Sequence, residues 1–161
     1  MRLLPLAALL LVSCDQKAPT AEECKALAAP KAMLERCYGG TLGRSQRYVE
    51  DVKCWPFSKP QRLVGLWVVS LETSAFYPNA HTLDEVTRRP PRMWLESELL
   101  KTHPDLQASA QGANTRIYAV EFEGRQALCD GPFGHFGMYP REVVAERFYS
   151  MRLFQVLPNV P

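Results

Sequence analysis

The sequence lacks the motifs from which most familiar catalytic centres are built. Its 161 residues include only three histidines, and no two cysteines are spaced C-x-x-C. It contains no H-E-x-x-H helix, no G-x-S-x-G elbow and no Walker loop. These absences remove the usual signatures of zinc proteases, α/β-hydrolases and P-loop nucleotide hydrolases. Charge of one sign is also missing, since 19 Lys and Arg stand against 17 Asp and Glu for a formal +2. That balance argues against a protein held to nucleic acid by phosphate neutralisation. No internal repeat or low-complexity run is found, and 47% hydrophobic with 22% charged residues is ordinary for a globular chain.

The first residues that carry information are at the amino terminus. Arg2 is followed by an apolar stretch from Leu3 to Val12, then by Ser13-Cys14, and the polar run Asp15-Gln16-Lys17 ends it. A bilayer-crossing helix needs about 20 apolar residues, which this stretch does not reach. A buried core helix is no better, because the segment has no polar face and Pro5 would sit in its first turn. A positive residue, an apolar run and a small residue before the cut are the parts of an export signal. The segment resembles a bacterial lipoprotein signal peptide, with Leu11-Val12-Ser13-Cys14 as the lipobox. The resemblance implies a diacylglycerol on the Cys14 sulfur, cleavage after Ser13 and usually a third acyl chain on the new amino terminus. One acyl chain binds a membrane marginally and two or more hold it lastingly. Asp15 is similar to the inner-membrane retention signal of enterobacterial lipoproteins, but other bacterial groups sort differently, so inner and outer membrane both stay open. The expected organisation is a signal peptide over 1–13, a lipidated tether over 14–19 and a single globular domain over 20–161. Removing 13 of 161 residues leaves 148, enough for one core and too few for two.

With Cys14 assigned to lipid, Cys24, Cys37, Cys54 and Cys129 remain. An even set in an exported chain points to two disulfides. The nearest two lie thirteen residues apart, which does not suit a zinc site. Of the three pairings, Cys24 with Cys37 is disfavoured if 21–37 is one helix, because they would stand about 20 Å apart at 1.5 Å per residue. Pro30 can break that helix, so the pairing stays open. Joining either of these cysteines to Cys54 or Cys129 would staple the helix to the later body.

Thr20-Ala21-Glu22-Glu23 has the form of a capping box opening a helix over 21–38, which Gly39-Gly40 stops. Residues 41–60 are loop-rich. Leu63 to Leu71 reads as a central strand, apolar on both faces and emerging to solvent with Glu72, Ser74 and Phe76 on one side. The pattern then predicts a loop over 78–92, a strand over 93–100, a loop over 101–114, a strand over 116–122 and a tight turn at Glu123-Gly124. Residues 142–154 follow as one bent strand or two short ones. The fold class is α+β, an amino-terminal helix followed by a small antiparallel β-sheet or an OB-like barrel of four or five strands. Strand number, Gly65 and the late strand pair look like the oligonucleotide/oligosaccharide-binding family. That family commonly has a helix between its third and fourth strands, whereas 125–141 is rich in glycine and proline, and no ligand residue is carried over.

The densest unusual segment is Cys129 to Glu142, where Gly131, Gly134 and Gly137 interleave with aromatics around His135. The spacing is not that of a dinucleotide loop, and the segment leads into Pro140 and a β-rich run instead of a helix. In one reading the glycines permit positive φ while Phe133, Phe136 and Tyr139 plug the end of the core. In the other, Phe133, His135, Phe136, Tyr139 and Arg141 form a binding loop. Glu72 and His135 could act as an acid–base pair if folding brings them within hydrogen-bond reach; otherwise Glu72 is a solvated strand end paired with an arginine. His81 and His103 read as surface residues, and Trp55, Trp67 and Trp94 as core. No cofactor or metal is expected, and no nucleic acid. The leading expectation is a non-catalytic envelope lipoprotein, anchored to membrane lipid through Cys14 and facing the periplasm. Its disulfide-stabilised domain would bind an envelope protein or a small ligand. A hydrolytic enzyme using Glu72 and His135, and a structural or assembly factor of an envelope complex, are the alternatives. Mass spectrometry of the exported protein without reductant should find Cys24, Cys37, Cys54 and Cys129 all oxidised; four free thiols would refute the two-bridge expectation.

Overall fold

The apolar run at 63–71 dominates the fold because both of its faces are covered. In the computed structural model, which describes residues 18–28, 55–88 and 92–158, this run lies in β1 (Gln61–Ser70). Leu63, Trp67 and Val69 face one core cluster and Leu66 faces another. The strand does not emerge to solvent as the alternation at Ser70, Glu72 and Ser74 implies. It reverses at Leu71-Glu72 into β2 (Thr73–Pro78), with Ser70 opposite Thr73. The reversal needs Glu72 at φ 58°, a left-handed conformation that the sequence does not announce with Asn-Gly or Asp-Gly.

Residues 78–92, expected as a loop, contain α2 (Leu83–Arg88). Its entry is a second capping box: the Glu85 amide donates to Thr82 Oγ1 at 3.3 Å, and the Thr82 amide donates to Glu85 Oε2 at 3.1 Å. Strand β3 (Met93–Glu96) is shorter than expected, and α3 (Leu99–Thr102) and α4 (Pro104–Ala110) occupy most of the predicted loop at 101–114. Pro104 fits there because the first turn of a helix needs no N–H from it. Strand β4 (Thr115–Gln126) runs straight through Gly124. That glycine makes no turn; a Cβ on it would come within 2.6 Å of the Val144 carbonyl, so its role is close strand approach. One long strand, β5 (Glu142–Leu157), ends the described chain.

The five strands among the described residues form one mixed sheet, ordered β1-β2-β3-β5-β4, and β4 pairs back onto β1 so that the ladder closes on itself. The sequence leaves a small antiparallel sheet and an OB-like barrel both open, and the antiparallel sheet is not what forms. The correction is at β3 and β5, which run parallel through Trp94, Leu95 and Glu96 opposite Glu142, Val143 and Val144. A parallel neighbour requires a long crossover, and here it consists of α3, α4, β4 and residues 127–141. The segment between the third and fourth strands is therefore helical, and the glycine-rich stretch falls between the fourth and fifth. The alternative count arose because β1 and β2 read as one strand.

Inside the closed ladder, Trp67, Phe76, Leu95, Phe122 and Val143 are fully buried, and Phe76 meets Phe122 edge-on at 5.1 Å. Truncating such a ring to alanine typically costs about 3–5 kcal/mol. A polar run through this interior is satisfied: Trp67 Nε1 donates to Ser74 Oγ at 3.0 Å, and Ser74 Oγ donates to the Leu95 carbonyl at 2.6 Å. Leu106 of α4, with Leu99 and Leu100 of α3, closes one end of the same core. Helix α2 covers Leu66 and Ile117 on the outer side through Leu83 and Val86.

The amino-terminal helix α1 (Ala21–Ala28) has the expected capping box, with the Thr20 amide donating to Glu23 Oε2 at 2.6 Å and the Glu23 amide to Thr20 Oγ1 at 3.2 Å. The rest of the expected 21–38 helix lies outside the described residues, as do Cys14, Cys37 and Cys54. Cys24 is bonded to Cys129 across 105 residues of sequence. Helix α1 has no buried residue, so this bond is its principal tie to the strands. Replacing both Cys24 and Cys129 by alanine should lower stability by about 2–5 kcal/mol in urea titration. A change within about 0.5 kcal/mol, the range of a neutral surface substitution, would show that packing alone holds α1.

Candidate functional site

Alternation along β2 and β3 turns Ala75, Tyr77 and Trp94 away from the main core, onto the outer face of the sheet. That face is not open. Residues 127–141 fold back across it, and Trp55, Phe57, Ala127, Cys129, Phe133 and Tyr139 make a second buried cluster with those outward side chains. Two glycines permit the crossing by lacking a side chain. Gly134 has φ +67° and passes so close to Trp94 that a Cβ would stand 2.5 Å from the indole, and a Cβ on Gly131 would stand 2.9 Å from Phe133 and Trp55. Phe133 and Tyr139 bond to each other through their backbones, N to O in both directions, at 3.0 and 3.1 Å. Trp55 Nε1 donates to the Cys129 carbonyl at 3.1 Å, beside the disulfide.

Phe133, His135, Phe136, Tyr139 and Arg141, expected together as one binding loop, do not share one environment. Phe133 and Tyr139 are fully buried, so neither ring is available to a ligand in this conformation. Burial raises the Tyr139 phenol above its ordinary pKa, opposed by a hydrogen bond with Thr73. The side chain of Phe136 lies outside the described positions. Arg141 binds Asp130 at 2.6 Å and lines an open groove of about 440 Å³ with Pro19, Cys24 and Lys25, against α1.

His135 has a different environment. It opens a 3-10 turn (His135–Gly137), and its Nε2 stands 3.3 Å from Glu72 Oε1. The β1–β2 turn and the β4–β5 connection therefore meet at one histidine and one carboxylate, 63 residues apart in sequence. The histidine side chain is one-third exposed and the glutamate half exposed. Glu72 also has one of two positive-φ non-glycine conformations among the described residues, the other being at Asn79. A left-handed conformation costs a residue such as glutamate roughly 1–2 kcal/mol, and strain of this kind concentrates at functional sites. Glu72 does not share a strand face with Ser74 and Phe76, as strand alternation implies; it is in the turn, and Ser74 and Phe76 point inward.

Two flanking residues were missed. Leu71 is 58% exposed and Met138 63% exposed, next in sequence to Glu72 and three residues beyond His135. The available signal was an apolar residue in each turn with no strand or helix position to bury it. The ion pair is thus bordered in sequence by one exposed apolar residue in each connection.

A histidine beside a carboxylate can take or give a proton, and hydrolysis would add water or a side-chain hydroxyl as nucleophile. Of the hydroxyls near Glu72 in sequence, Ser74 is buried between Trp67 and Leu95 and Thr73 bonds Tyr139. Among the described residues, no group of three His, Cys, Asp or Glu side chains could hold a metal. The chain matches no protein-family model, no curated protein and no solved structure.

Gly134→Ala should destabilise the protein by about 1–3 kcal/mol or more, as overpacking against Trp94 adds to the cost of positive φ. Tryptophan fluorescence and urea unfolding measure it; an unchanged midpoint would mean that the crossing loop is not fixed by this contact.

Proposed function

We propose that the chain is a lipid-anchored bacterial envelope protein whose domain is a binding module, not an enzyme. In this reading residues 1–13 direct export, Cys14 carries the acyl chains, and the domain faces the periplasm on a short tether. The domain is a barrel of the OB type. Three features support this: the order β1-β2-β3-β5-β4, the parallel contact between β3 and β5, and the helices between β3 and β4. In such barrels ligands engage the outer face of strands 2 and 3 and the loops after strands 1 and 4. Here the loop after β4 covers that face itself, which leaves the rim between the two loops as the accessible part. The single observation carrying the proposal is the meeting of those loops at Glu72 and His135, 3.3 Å apart, with Leu71 and Met138 exposed in the same two connections. The ligand is a small polar molecule or a protein segment able to satisfy the histidine and carboxylate.

The same distance favours a second reading, a hydrolase in which Glu72 orients His135 as general base. The engaged state of Ser74 and Thr73 makes it the weaker one. Both are tested by titrating isotopically labelled protein with panels of short peptides, oligosaccharides and single-stranded oligonucleotides while watching amide resonances. Binding should shift residues 71–73 and 134–138, and Glu72→Ala with His135→Ala should abolish the shift without changing the fold. Binding that survives both substitutions would overturn the site, and turnover of any probe lost in Glu72→Gln would favour the hydrolase. Metabolic labelling with an alkynyl fatty acid, lost in Cys14→Ser, tests the anchor.

A further inference from the structure

The disulfide between Cys24 and Cys129 stands at the boundary between a closed cluster and an open groove, and its two halves differ in surroundings. Cys129 is 1% exposed and belongs to the cluster of Trp55, Phe57, Phe133 and Tyr139. Cys24 is only partly buried, on a helix that has no buried residue. Both border the groove of about 440 Å³ beside α1. A reagent entering the groove meets the Cys24 half of the bond, because the Cys129 half is shielded by the aromatic cluster. Reactive cysteines occupy partly exposed, electropositive sites, whereas buried structural ones are inert.

The groove also has the charge for such a site. Lys25 is exposed and has no ion pair among the described residues, and Arg141 is paired with Asp130 at 2.6 Å. All three line the groove, so two cations stand against one carboxylate for a net +1. Of the acids in the first turn of α1, Glu23 is bound to Thr20 in the capping box and Glu22 is exposed. Neither lines the groove. The attacking species in thiol–disulfide exchange is a thiolate, an anion that this lining attracts.

Breaking the bond does not require the strands to open. The ladder closes through the backbone pairings of β1 with β4 and of β3 with β5. Residues 127–141 have their own ties to it: the Ala127 amide donates to the Glu142 carbonyl and the Leu128 amide to the Pro56 carbonyl, both at 2.8 Å. What the bond alone supplies is the covalent link to α1.

We infer that Cys24–Cys129 is a redox-active disulfide, reduced by a protein dithiol that enters the groove beside α1. The dithiol's thiolate bonds to the Cys24 sulfur as the bond to Cys129 breaks, and the Cys129 sulfur leaves with the electron pair and takes a proton from water. The second thiol of the dithiol, as its thiolate, then attacks its own partner sulfur in the mixed disulfide. Cys24 leaves as a thiolate with Lys25 beside it in the groove. Two electrons pass to the chain, which gains two thiols, and the dithiol departs as a disulfide. Reduction releases α1 and leaves the barrel closed. This activity is separate from the binding reading and shares no residue with Glu72 and His135.

The test mixes the full, oxidised chain, at neutral pH without denaturant, with reduced thioredoxin whose second active-site cysteine is replaced by serine. A mixed disulfide should be trapped, and peptide mapping should place it on Cys24. With intact reduced thioredoxin, alkylation should find thiols at Cys24 and Cys129 while the circular dichroism of the strands is unchanged. Lys25→Glu should slow reduction by dithiothreitol about fivefold at low salt, since it reverses one charge facing an anionic nucleophile across water. High salt should erase the difference, which a merely structural role of Lys25 would not produce. A chain that lacks the Cys24–Cys129 bond when purified, thiols that appear only after urea unfolding, or trapping at Cys37 or Cys54 instead would overturn the inference. So would an equal rate for Lys25→Glu at low salt.

Discussion

Three residue pairs between β3 and β5 are the constraint on which the rest of the architecture depends. Trp94, Leu95 and Glu96 run parallel to Glu142, Val143 and Val144, and without that contact the ladder from β1 through β2 to β3 would stay open. Because the two strands are parallel, everything between them must serve as crossover. This is why α3 and α4 are available to close one end of the core, and why the glycine-rich segment lies across the outer face of β2 and β3. The same contact positions His135 near the β1–β2 turn. It also leaves the later part of β5 paired on one edge only among the described residues, because β3 is only four residues long.

The parts of this arrangement that the sequence disclosed are those governed by local chemistry. Thr20 and Glu23 announce the start of α1, the mixed apolar run at 63–71 announces a strand covered on both sides, and the β-rich run after Pro140 announces strand without deciding between one and two. What stayed hidden depends on non-local geometry. The hairpin at Leu71-Glu72 has no glycine or asparagine to mark it, since the left-handed residue is a glutamate whose conformation is held by its surroundings. Missing that turn merged two strands and misplaced the crossover helices. Gly124 reads as a turn by composition, but its lack of a side chain serves strand contact with Val144. The capping box at Thr82 and Glu85 was legible and masked by the prolines around it.

The candidate site was half legible for the same reason. Glu72 and His135 are identifiable as chemically capable residues, and their neighbourhood is identifiable as unusual. Their meeting at 3.3 Å is a product of topology that spacing along the chain cannot reveal. The aromatic residues of the 129–142 segment show the converse. Phe133 and Tyr139 attract attention as ligand-binding rings, but their density reflects the need to fill the space over Ala75, Tyr77 and Trp94. A loop that crosses a sheet face needs its own small core, and the glycines let it come close enough to form one.

The bond between Cys24 and Cys129 has a temporal side. Its two halves are separated by 105 residues, so in a chain that crosses a membrane amino end first, Cys24 emerges long before its partner. Cys37 and Cys54 emerge in between. In such a chain the thiol of α1 would stay unpaired, or exchange out of an early bridge, until the whole of β4 has followed. Correct oxidation would then report delivery past β4, and a protein truncated before residue 129 would carry an unmatched cysteine recognisable to any quality control that reads thiols.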